Sequence, residues 1–468
     1  MTTRLVLHRA LVDGELVDVT CAGERIESVT PVARRPRGGE VLDVGGGALL
    51  PGLHDHHLHL LAMAAARRSV QVGPPAVTDA AGLGAALHAA AAVAPPGAWL
   101  RAVGYHLSVA GELDGVRLDE LAPLERPVRV QHRSGACWTL NGAAARAIAL
   151  DTAAGVAGIE RAADGAPSGR LFGLDDWLRD RVPSVAADLA AVGAELASYG
   201  ITGVTDATPT ERADEVALLA AAALPLRIVV TGGPGLAAGA ASSLPRGPVK
   251  LVVADHRLPA VEELASQMRA ARRLGRAVAV HCVTRIGLVV ALAAWDEVGA
   301  VAGDRVEHGA VVPLELAAEL SARGLTVVTQ PGFVRARGDA YLDEVEPLDR
   351  GDLWRCASLV AAGVGIAGSS DAPFGPADPW LSMAAAVDRT TTGGRCVGAA
   401  EALTPAAALG LYLGAHDDPA RRARSRRVEP EAPADLCVLA CPIAEVLGDL
   451  DARHVVATVV GGRLSYRR

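Results

Sequence analysis

The chain has 468 residues, half of them hydrophobic, which is enough for a large core and indicates two domains. Its net charge of −8, with both signs scattered, excludes a basic nucleic-acid surface, and no hydrophobic run reaches membrane-spanning length. We therefore expect neither a nucleic acid nor a membrane as a partner, and leave a homo-oligomer open. The N-terminus lacks a signal-peptide pattern, and seven dispersed cysteines, an odd number, indicate the reducing cytoplasm.

Short segments with alternating apolar and polar residues at both chain ends predict a small sheet domain. They lie at residues 4–7, 16–19 and 25–29 near the N-terminus and at residues 435–439, 455–460 and 463–466 near the C-terminus. Glycines and polar residues separate them, as is typical of all-β structure. We predict that residues 1–50 and 425–468 together form a β-sandwich domain.

A histidine-rich segment, residues 51–59 with the sequence PGLHDHHLH, is the most informative part of the chain. It follows the apolar run 48–50, which Pro-Gly closes, so the run is predicted to be the end of a buried strand that enters a loop. Alternation along a strand puts Asp55, His57 and His59 on one face. Two imidazoles on one face suit a divalent metal ion, and an acid two residues earlier can orient such a ligand. A solvated histidine-rich loop is the alternative.

Strand-like hydrophobic runs recur between residues 200 and 371, and most are separated by stretches with helical spacing. They lie at residues 203–205, 226–230, 249–253, 277–280, 305–307, 325–328 and 364–367. With the run that ends at Pro51 they make eight, the number of strands in a TIM-type barrel. A doubly wound open sheet is the alternative, but no glycine-rich phosphate loop opens a helix after any of these runs.

Residues 60–195 are too long for one connection between two strands. They are predicted to form a large insertion, rich in alanine helices, that covers the barrel mouth and shapes the substrate pocket. We therefore predict an α/β fold in which a TIM-type (β/α)8 barrel, residues 51–424, carries this insertion at about 60–195. The small β-sandwich domain built from both chain termini completes the prediction.

Polar residues lie in or close to the ends of several predicted strands. With the run that ends at Pro51 counted as the first, they are Lys250 in the fourth run, His281 after the fifth, His308 after the sixth and Asp371 after the eighth. Because the carboxyl ends of barrel strands converge on one mouth, we expect these side chains to meet His57 and His59 around a metal centre. Four imidazoles and a carboxylate suit zinc or another borderline divalent ion.

Lys250 is the one lysine among 45 basic residues, and the other 44 are arginines. A single retained primary amine suggests chemistry that a guanidinium cannot perform, such as formation of a carbamate or a Schiff base. The alternative is chance survival of one lysine in an arginine-biased composition.

Several motifs together resemble the amidohydrolase superfamily. They are the segment 51–59, Lys250, His281, Glu307-His308-Gly309 and Ser370-Asp371-Ala372-Pro373. Residues 200–207, 371–380 and 434–462 resemble its YtcJ-like branch, amidohydrolase family 3. The similarity covers nearly the whole chain, and the motifs are specific to the superfamily and far less so to any substrate.

The resemblance implies one or two divalent metal ions per chain, with zinc favoured. It implies that His57 and His59 bind the more buried ion. His281 and His308 are implied to bind a second ion. Lys250, carboxylated by carbon dioxide, would then bridge the two ions.

The resemblance also implies the reaction. Asp371 would be a metal ligand and the general base that takes a proton from the metal-bound water. The resulting metal-bound hydroxide would cleave a carbon–nitrogen bond of a small molecule, in an amide, a cyclic amide or an N-acyl group. The protein is thus expected to be a metal-dependent amidohydrolase that acts on bonds other than peptide bonds.

Polar residues near the predicted mouth are candidates for contact with the substrate. They are His132, Arg133, Trp138, Arg285 and Gln330, with His106, Asp206 and Arg337 as further candidates. Arg133 or Arg285 could hold a substrate carboxylate through two hydrogen bonds. The segment 132–141 departs from the branch, because Ala136 stands where a histidine is usual, so the branch does not identify the substrate.

Two other functions remain open on the sequence. A hydrolytic deaminase of a ring substrate would use one metal ion, but the residues that follow His281 contain no His-x-x-Glu helix pair. A non-catalytic binding protein on the same fold is the third hypothesis, and the intact set of ligand residues argues against it.

Overall fold

The protein is described by a computed structural model that covers residues 4–34, 39–184, 187–233, 236, 244–255, 257–420 and 426–468. The chain folds as two compact units, one of residues 1–60 and 189–468 and the other of residues 61–188. Among the described residues, no helix is long and apolar enough to cross a membrane.

The strands are given in chain order. They are β1 (Arg4–Val12), β2 (Glu15–Ala22), β3 (Arg25–Pro31), β4 (Glu40–Asp43), β5 (Leu49–Pro51), β6 (Leu53–Leu58), β7 (Val70–Gln71), β8 (Leu100–Tyr105), β9 (Val128–His132), β10 (Cys137–Leu140), β11 (Ile159–Arg161), β12 (Pro167–Phe172), β13 (Ile201–Asp206), β14 (Arg227–Val230), β15 (Val249–Val252), β16 (Val278–Cys282), β17 (Arg305–His308), β18 (Thr326–Thr329), β19 (Gly365–Gly368), β20 (Leu436–Leu439), β21 (Val455–Val460) and β22 (Arg463–Arg467).

The α-helices follow the same order. They are α1 (Leu60–Arg67), α2 (Ala80–Val93), α3 (Leu107–Ala110), α4 (Gly115–Leu121), α5 (Gly142–Ala147), α6 (Asp175–Arg179), α7 (Leu189–Ser198), α8 (Ala213–Ala221), α9 (Val261–Arg273), α10 (Arg285–Val298), α11 (Leu314–Ala322), α12 (Gly332–Glu344), α13 (Ala357–Ala361), α14 (Pro379–Asp388), α15 (Pro405–Gly410) and α16 (Ile443–Gly448).

Strands from both chain ends form two four-stranded sheets, in the orders β3-β2-β1-β4 and β22-β21-β20-β5. The β1–β2 hairpin turns at Asp13 and Gly14, which both have positive φ, as a two-residue hairpin turn that matches strand twist requires. Both sheets contribute to one hydrophobic cluster, in which Leu7 and Val19 lie with Leu436. The N-terminal and C-terminal segments therefore share a core.

Eight parallel strands carry the residues of interest, three in the order β14-β13-β6 and five in the order β15-β16-β17-β18-β19. The Lys250 amide donates a hydrogen bond of 2.9 Å to the Gly232 carbonyl, which links β15 to the segment after β14. The Asp371 amide donates one of 2.8 Å to the His57 carbonyl, which links the segment after β19 to β6. Each of the seven runs predicted between residues 203 and 367 overlaps one of these strands.

The prediction of the first parallel strand was wrong. The run that ends at Pro51 is β5, which pairs antiparallel with β20, and the parallel strand β6 begins only at Leu53. Gly52 separates them, and a Cβ there would lie 2.1 Å from the Thr202 side chain, so only glycine lets the two backbones approach. The histidine-rich segment is therefore mostly strand rather than loop.

The unit of residues 61–188 contains a six-stranded sheet in the order β11-β12-β10-β9-β8-β7. Leu83 and Leu87 of α2 pack with Leu100 and Val128 in the core of this unit. The prediction of an alanine-rich helical insertion was right for α2 and wrong for these strands. These strands are short and lie between alanine-rich stretches. Their alternation of apolar and polar residues was therefore not recognised in the sequence.

Candidate metal centre

The six residues predicted to form a metal centre come from five of the parallel strands and their connections. They are His57 in β6, His59 directly after it, Lys250 in β15, His281 in β16, His308 at the end of β17 and Asp371 after β19. The structure brings all six side chains into one cluster, in which His59 and His281 are half-buried and the other four are buried, as the following distances describe.

Three of these residues form a compact donor set. Candidate ligand atoms of His57, His59 and Asp371 all lie within 4.8 Å of one another. The Asp371 Oδ1 atom lies 3.2 Å from His59 Nε2 and 3.6 Å from His57 Nε2. Two imidazole nitrogens and a carboxylate oxygen at this spacing suit zinc or another borderline divalent ion.

Lys250 reaches the same cluster from β15. Its Nζ donates to His57 Nε2 at 3.3 Å, and the side chain is buried. Burial lowers the pKa of Lys250 to about 8, although the carboxylates of Glu307 and Asp371 act in the opposite direction. A neutral amine, the form that can react with carbon dioxide, is therefore much more accessible here than for a lysine in water.

His281 and His308 border the donor set on its other side. Their ring centroids are 4.5 Å apart, and the His308 ring lies 4.8 Å from that of His57. His308 Nδ1 is 3.9 Å from Asp371 Oδ2. The pair thus offers two further imidazoles next to Asp371, as a second metal ion would need.

The Nδ1 atoms of three of the histidines are already engaged, which leaves Nε2 for a ligand. His57 Nδ1 donates to Glu307 Oε2 at 2.5 Å, and His59 Nδ1 is hydrogen-bonded to Thr208 Oγ1 at 3.0 Å. His308 Nδ1 is hydrogen-bonded to an amide oxygen, that of Gln330, at 2.9 Å. Such partners fix the tautomer and ring orientation of metal-binding histidines.

Burial keeps these imidazoles neutral. It lowers the pKa of His57 and His308 well below the usual value, and the pKa of His281 to about 3. The positive charge of Lys250 acts in the same direction on all three. Because a metal ion binds the neutral imidazole, the electrostatics of the cluster fit a cation-binding role.

Backbone strain occurs at two residues of the cluster. His308 has a φ of 71° and Asp371 a φ of 53°, both in the left-handed region that residues with a Cβ rarely adopt. Strain of this kind persists where the surrounding structure enforces it, and it concentrates at functional sites. Asp55 is part of that support, because its Oδ1 accepts from the amides of His57 and Ser370, each at 3.1 Å.

Two histidines of the same segment lie outside the cluster. His54 Nε2 is hydrogen-bonded to Thr205 Oγ1 at 2.9 Å, and the His54 ring packs on the His56 ring with centroids 4.6 Å apart. Neither ring nitrogen of His56 has a hydrogen-bond partner in the part of the chain that the structure describes. Neither residue belongs to the donor set.

Two predicted substrate contacts have other partners. The Arg285 guanidinium binds Asp349 at 2.9 Å and Asp352 at 2.7 Å, so its charge is already neutralised. Gln330 orients His308 through its oxygen and donates from its nitrogen to Ser369. These contacts give Arg285 and Gln330 structural roles, and contact of either residue with a substrate stays a prediction.

Three other predicted contacts lie in the unit of residues 61–188. His132 Nδ1 is hydrogen-bonded to Ser134 Oγ at 2.7 Å, and the Arg133 amide donates to the Tyr105 carbonyl at 2.8 Å. Trp138 is buried, and its Nε1 donates to an aspartate, Asp175, at 2.9 Å. Contact of these residues with a substrate stays a prediction.

Sequence reasoning missed two groups near the cluster. Thr208, which orients His59, follows β13 by two residues, and a hydroxyl just after a strand end was the available signal. Glu211, three residues further on, is buried, and neither of its carboxylate oxygens has a hydrogen-bond partner among the described residues. No local pattern in the sequence distinguishes Glu211 from a surface glutamate.

The parallel strands and the histidine–aspartate cluster at one edge of them define a metal-dependent hydrolase of the α/β class. Comparisons with known proteins identify the family. The sequence profile of the amidohydrolase family matches residues 40–466, and the chain belongs to this family. It is a metal-dependent amidohydrolase that acts on carbon–nitrogen bonds other than peptide bonds.

Individual relatives agree with this membership. The chain is 26% identical to the N-substituted formamide deformylase of Arthrobacter pascens, over 92% of this chain and 90% of that protein. It is 25% identical to YtcJ of Bacillus subtilis (strain 168), named as an amidohydrolase, over 92% of this chain and 91% of that protein. Among solved structures, an uncharacterized metal-dependent hydrolase from Pyrococcus horikoshii OT3 has the same fold, with a TM-score of 0.71, 18% identity and coverage of 94% and 97% of the two chains.

Proposed function

We propose that the protein hydrolyses an amide, cyclic amide or N-acyl bond of a small molecule, with Asp371 as the general base. The observation that carries this proposal is the convergence of His57, His59 and Asp371 within 4.8 Å, with the Lys250 amine 3.3 Å from His57. The name of the relative from Arthrobacter pascens supports N-substituted formamides as the first substrates to test.

The donor set fits one or two divalent ions, and its imidazoles favour zinc. His57 and His59 would hold one ion, and His281 and His308 a second, with carboxylated Lys250 between them. A bound divalent ion supplies a Lewis acid that polarises the carbonyl group and acidifies water.

Side chains of the protein transfer the proton and orient the metal ligands. The Asp371 carboxylate accepts the proton of the attacking water and returns it to the leaving nitrogen, so that the amine departs neutral. Glu307, Thr208 and Gln330 keep the histidine rings oriented with Nε2 towards the centre. The enforced backbone at Asp371 holds the carboxylate in position before the substrate arrives.

The proposal includes the finer architecture. The eight parallel strands would close into a (β/α)8 barrel, which the bonds from Lys250 to Gly232 and from Asp371 to His57 support. The two terminal sheets would form a β-sandwich from residues 1–50 and 425–468, with residues 51–424 as the barrel domain. Seven unpaired cysteines support a reducing compartment such as the cytoplasm.

The first experiment measures metal content and hydrolysis together. Protein purified without chelator and with bicarbonate is analysed for metals and assayed with N-alkylformamides, acetamides and cyclic amides by detection of the released amine. We expect about two divalent ions per chain and amine release. Ammonia release from aminopurines or aminopyrimidines, with one ion per chain, would support the deaminase instead. Absence of bound metal, even after addition of zinc, would refute the proposed centre.

Asp371→Asn tests the general base. The variant keeps the size of the side chain and loses its basicity, so we expect turnover to fall by at least about 100-fold while some metal remains bound. Asp388→Asn, which changes an exposed aspartate at the end of α14, is the matched control and should retain full activity. Substantial activity in Asp371→Asn would rule out its role as base.

A further inference from the structure

Glu211 is a buried carboxylate without a hydrogen-bond partner among the described residues. It lies in the connection between β13 and α8, and only 5% of its surface is exposed. Neither Oε1 nor Oε2 has a hydrogen-bond partner in the described ranges of the chain. Buried carboxylates are normally paired or hydrogen-bonded, so this position calls for an explanation.

The neighbouring carboxylates show that donors are available nearby but do not reach Glu211. Asp206 accepts from the amides of Leu60 at 2.8 Å and Thr208 at 3.0 Å. Glu215 accepts from the Arg212 amide at 2.9 Å. Glu211 alone of the three is left without such a bond among the described residues.

The electrostatic surroundings favour a cation. Burial raises the pKa of Glu211 to about 10, and the negative charges of Asp206 and Glu215 act in the same direction. The side chain is therefore an uncharged acid in the free protein near pH 7. A positively charged group brought next to it would supply both hydrogen-bond donors and the missing charge.

The connection that carries Glu211 runs beside the metal centre. Thr208, three residues earlier, is bonded to His59 Nδ1 at 3.0 Å. The Pro209 carbonyl packs closely against Gly233. A Cβ atom added to Gly233 would lie 2.3 Å from the Pro209 carbonyl oxygen and 3.9 Å from the Lys250 carbonyl oxygen. Glu211, three residues after Thr208, belongs to this connection, which contacts His59 and packs near the Lys250 backbone, and connections after parallel strands contact substrates in such folds.

We propose that Glu211 binds an ammonium group of the substrate and so makes the enzyme selective for N-acyl compounds that carry a second, positively charged amine. The inference rests on the proposed hydrolase function. An ammonium is a compact cation with three hydrogen-bond donors, so it needs less room beside a buried carboxylate than a planar guanidinium does. A metal ion at Glu211 is disfavoured because the adjacent carboxylates of Asp206 and Glu215 already accept hydrogen bonds.

Matched substrates test this selectivity. Monoformylated diamines with three to six carbons are compared with N-alkylformamides of equal length, in which a methyl group replaces the ammonium. We expect kcat/KM to favour the charged member by roughly 10- to 100-fold at the best length, as a charge-assisted hydrogen bond predicts. Equal kcat/KM values at every length would overturn the proposal.

Variants assign the selectivity to Glu211. In Glu211→Gln the preference should fall to near one, while kcat/KM for the uncharged formamide stays within about threefold of that of the wild type. Glu215→Gln, which removes a neighbouring carboxylate, should keep the wild-type preference. Because Glu211 is buried and has no hydrogen-bond partner within the described part of the chain, Glu211→Gln and Glu211→Leu should unfold at the same temperature as the wild type or higher. A preference that survives in both folded variants would overturn the assignment.

A binding measurement separates this inference from the hydrolase proposal. Unacylated diamines of three to six carbons are titrated into the metal-loaded protein by calorimetry at pH 8 in two buffers of different ionisation enthalpy. We expect the wild type to bind the diamine and release a proton. Glu211→Gln should bind it at least 10-fold more weakly and release no proton. This result in a protein that hydrolyses no amide would refute the hydrolase function and retain the cation site. Identical binding by wild type and variant would refute the cation site, whatever the hydrolytic activity.

Discussion

The buried ion pair behind His57 gives the sharpest test of how the centre is supported. Glu307 accepts from Arg305 Nε at 2.6 Å and from His57 Nδ1 at 2.5 Å, and the side chains of all three are at most 2% exposed. Glu307→Leu removes one member of this pair and leaves the Arg305 charge buried without its counter-ion. Loss of one partner of a buried pair costs about 3–5 kcal/mol, and we expect the free energy of unfolding to fall by that amount.

The second variant restores the balance of charge. In Arg305→Met/Glu307→Leu no uncompensated charge remains, so most of the lost stability should return, because apolar side chains often replace a buried pair at little cost. Unfolding in guanidinium chloride is followed on metal-free protein, so that weaker metal binding does not contribute. Glu297→Leu is the control, since Glu297 pairs with Arg269 at the surface and such pairs contribute less than about 1 kcal/mol. A loss below about 1 kcal/mol in Glu307→Leu, or a double variant as unstable as the single one, would refute this reasoning.

Two further predictions concern a positioning residue and the response to acid. Thr208→Val removes the hydroxyl that orients His59, so zinc affinity measured against a competing chelator should fall about 10- to 100-fold, and unchanged affinity would contradict the role. Burial alone would raise the pKa of Glu401, but hydrogen bonds led by that of Ser358 lower it overall. A lowered folded pKa means that stability is present above the ordinary value of 4.5 and is lost as the pH falls through the folded value. Glu401→Gln should therefore be less stable than the wild type at pH 7 and lose less stability on acidification below pH 4.5, and parallel curves of unfolding free energy against pH would contradict this.

The histidines of the cluster could be predicted because each marks a strand end. His281 and His308 close hydrophobic runs that recur at a regular spacing, and parallel strands bring such ends together irrespective of their distance in the sequence. The first strand could not be placed correctly, since the apolar run that ends at Pro51 has the stronger strand pattern and β6 consists mostly of polar residues. Only the antiparallel pairing with β20, nearly 400 residues away, separates them.

Partners of individual side chains were the part that could not be predicted. Arg285 was one of two arginines proposed to hold a substrate carboxylate, and its pairing with Asp349 and Asp352, 64 and 67 residues away, could not be predicted from the sequence. Glu211 and Glu215 are chemically identical in the sequence, and one has a backbone donor whereas the other has no hydrogen-bond partner among the described residues. The Arg285 pairs are tertiary contacts that no local pattern encodes, whereas the Glu215 bond is a local capping contact at the start of α8.

In the proposed centre, the position of Lys250 would couple metal binding to carbon dioxide. Its amine donates to His57 Nε2, the atom that a metal ion would need, so an uncarboxylated, protonated Lys250 competes with the metal by charge and by position. Carboxylation replaces that positive charge with a negative one, and linkage then requires each event to strengthen the other.

We therefore expect bicarbonate to raise the apparent zinc affinity of the wild type by at least about 10-fold, with two ions bound at saturation. Lys250→Arg cannot form a carbamate, so it should bind at most one ion and show no response to bicarbonate. Competition with a chelator at fixed pH, with and without bicarbonate, measures both quantities. If bicarbonate raises the zinc affinity of the variant equally, the effect comes from the metal salt and not from Lys250. If bicarbonate does not change the zinc affinity of the wild type, Lys250 is not carboxylated in the centre, and the histidine–aspartate donor set remains as proposed.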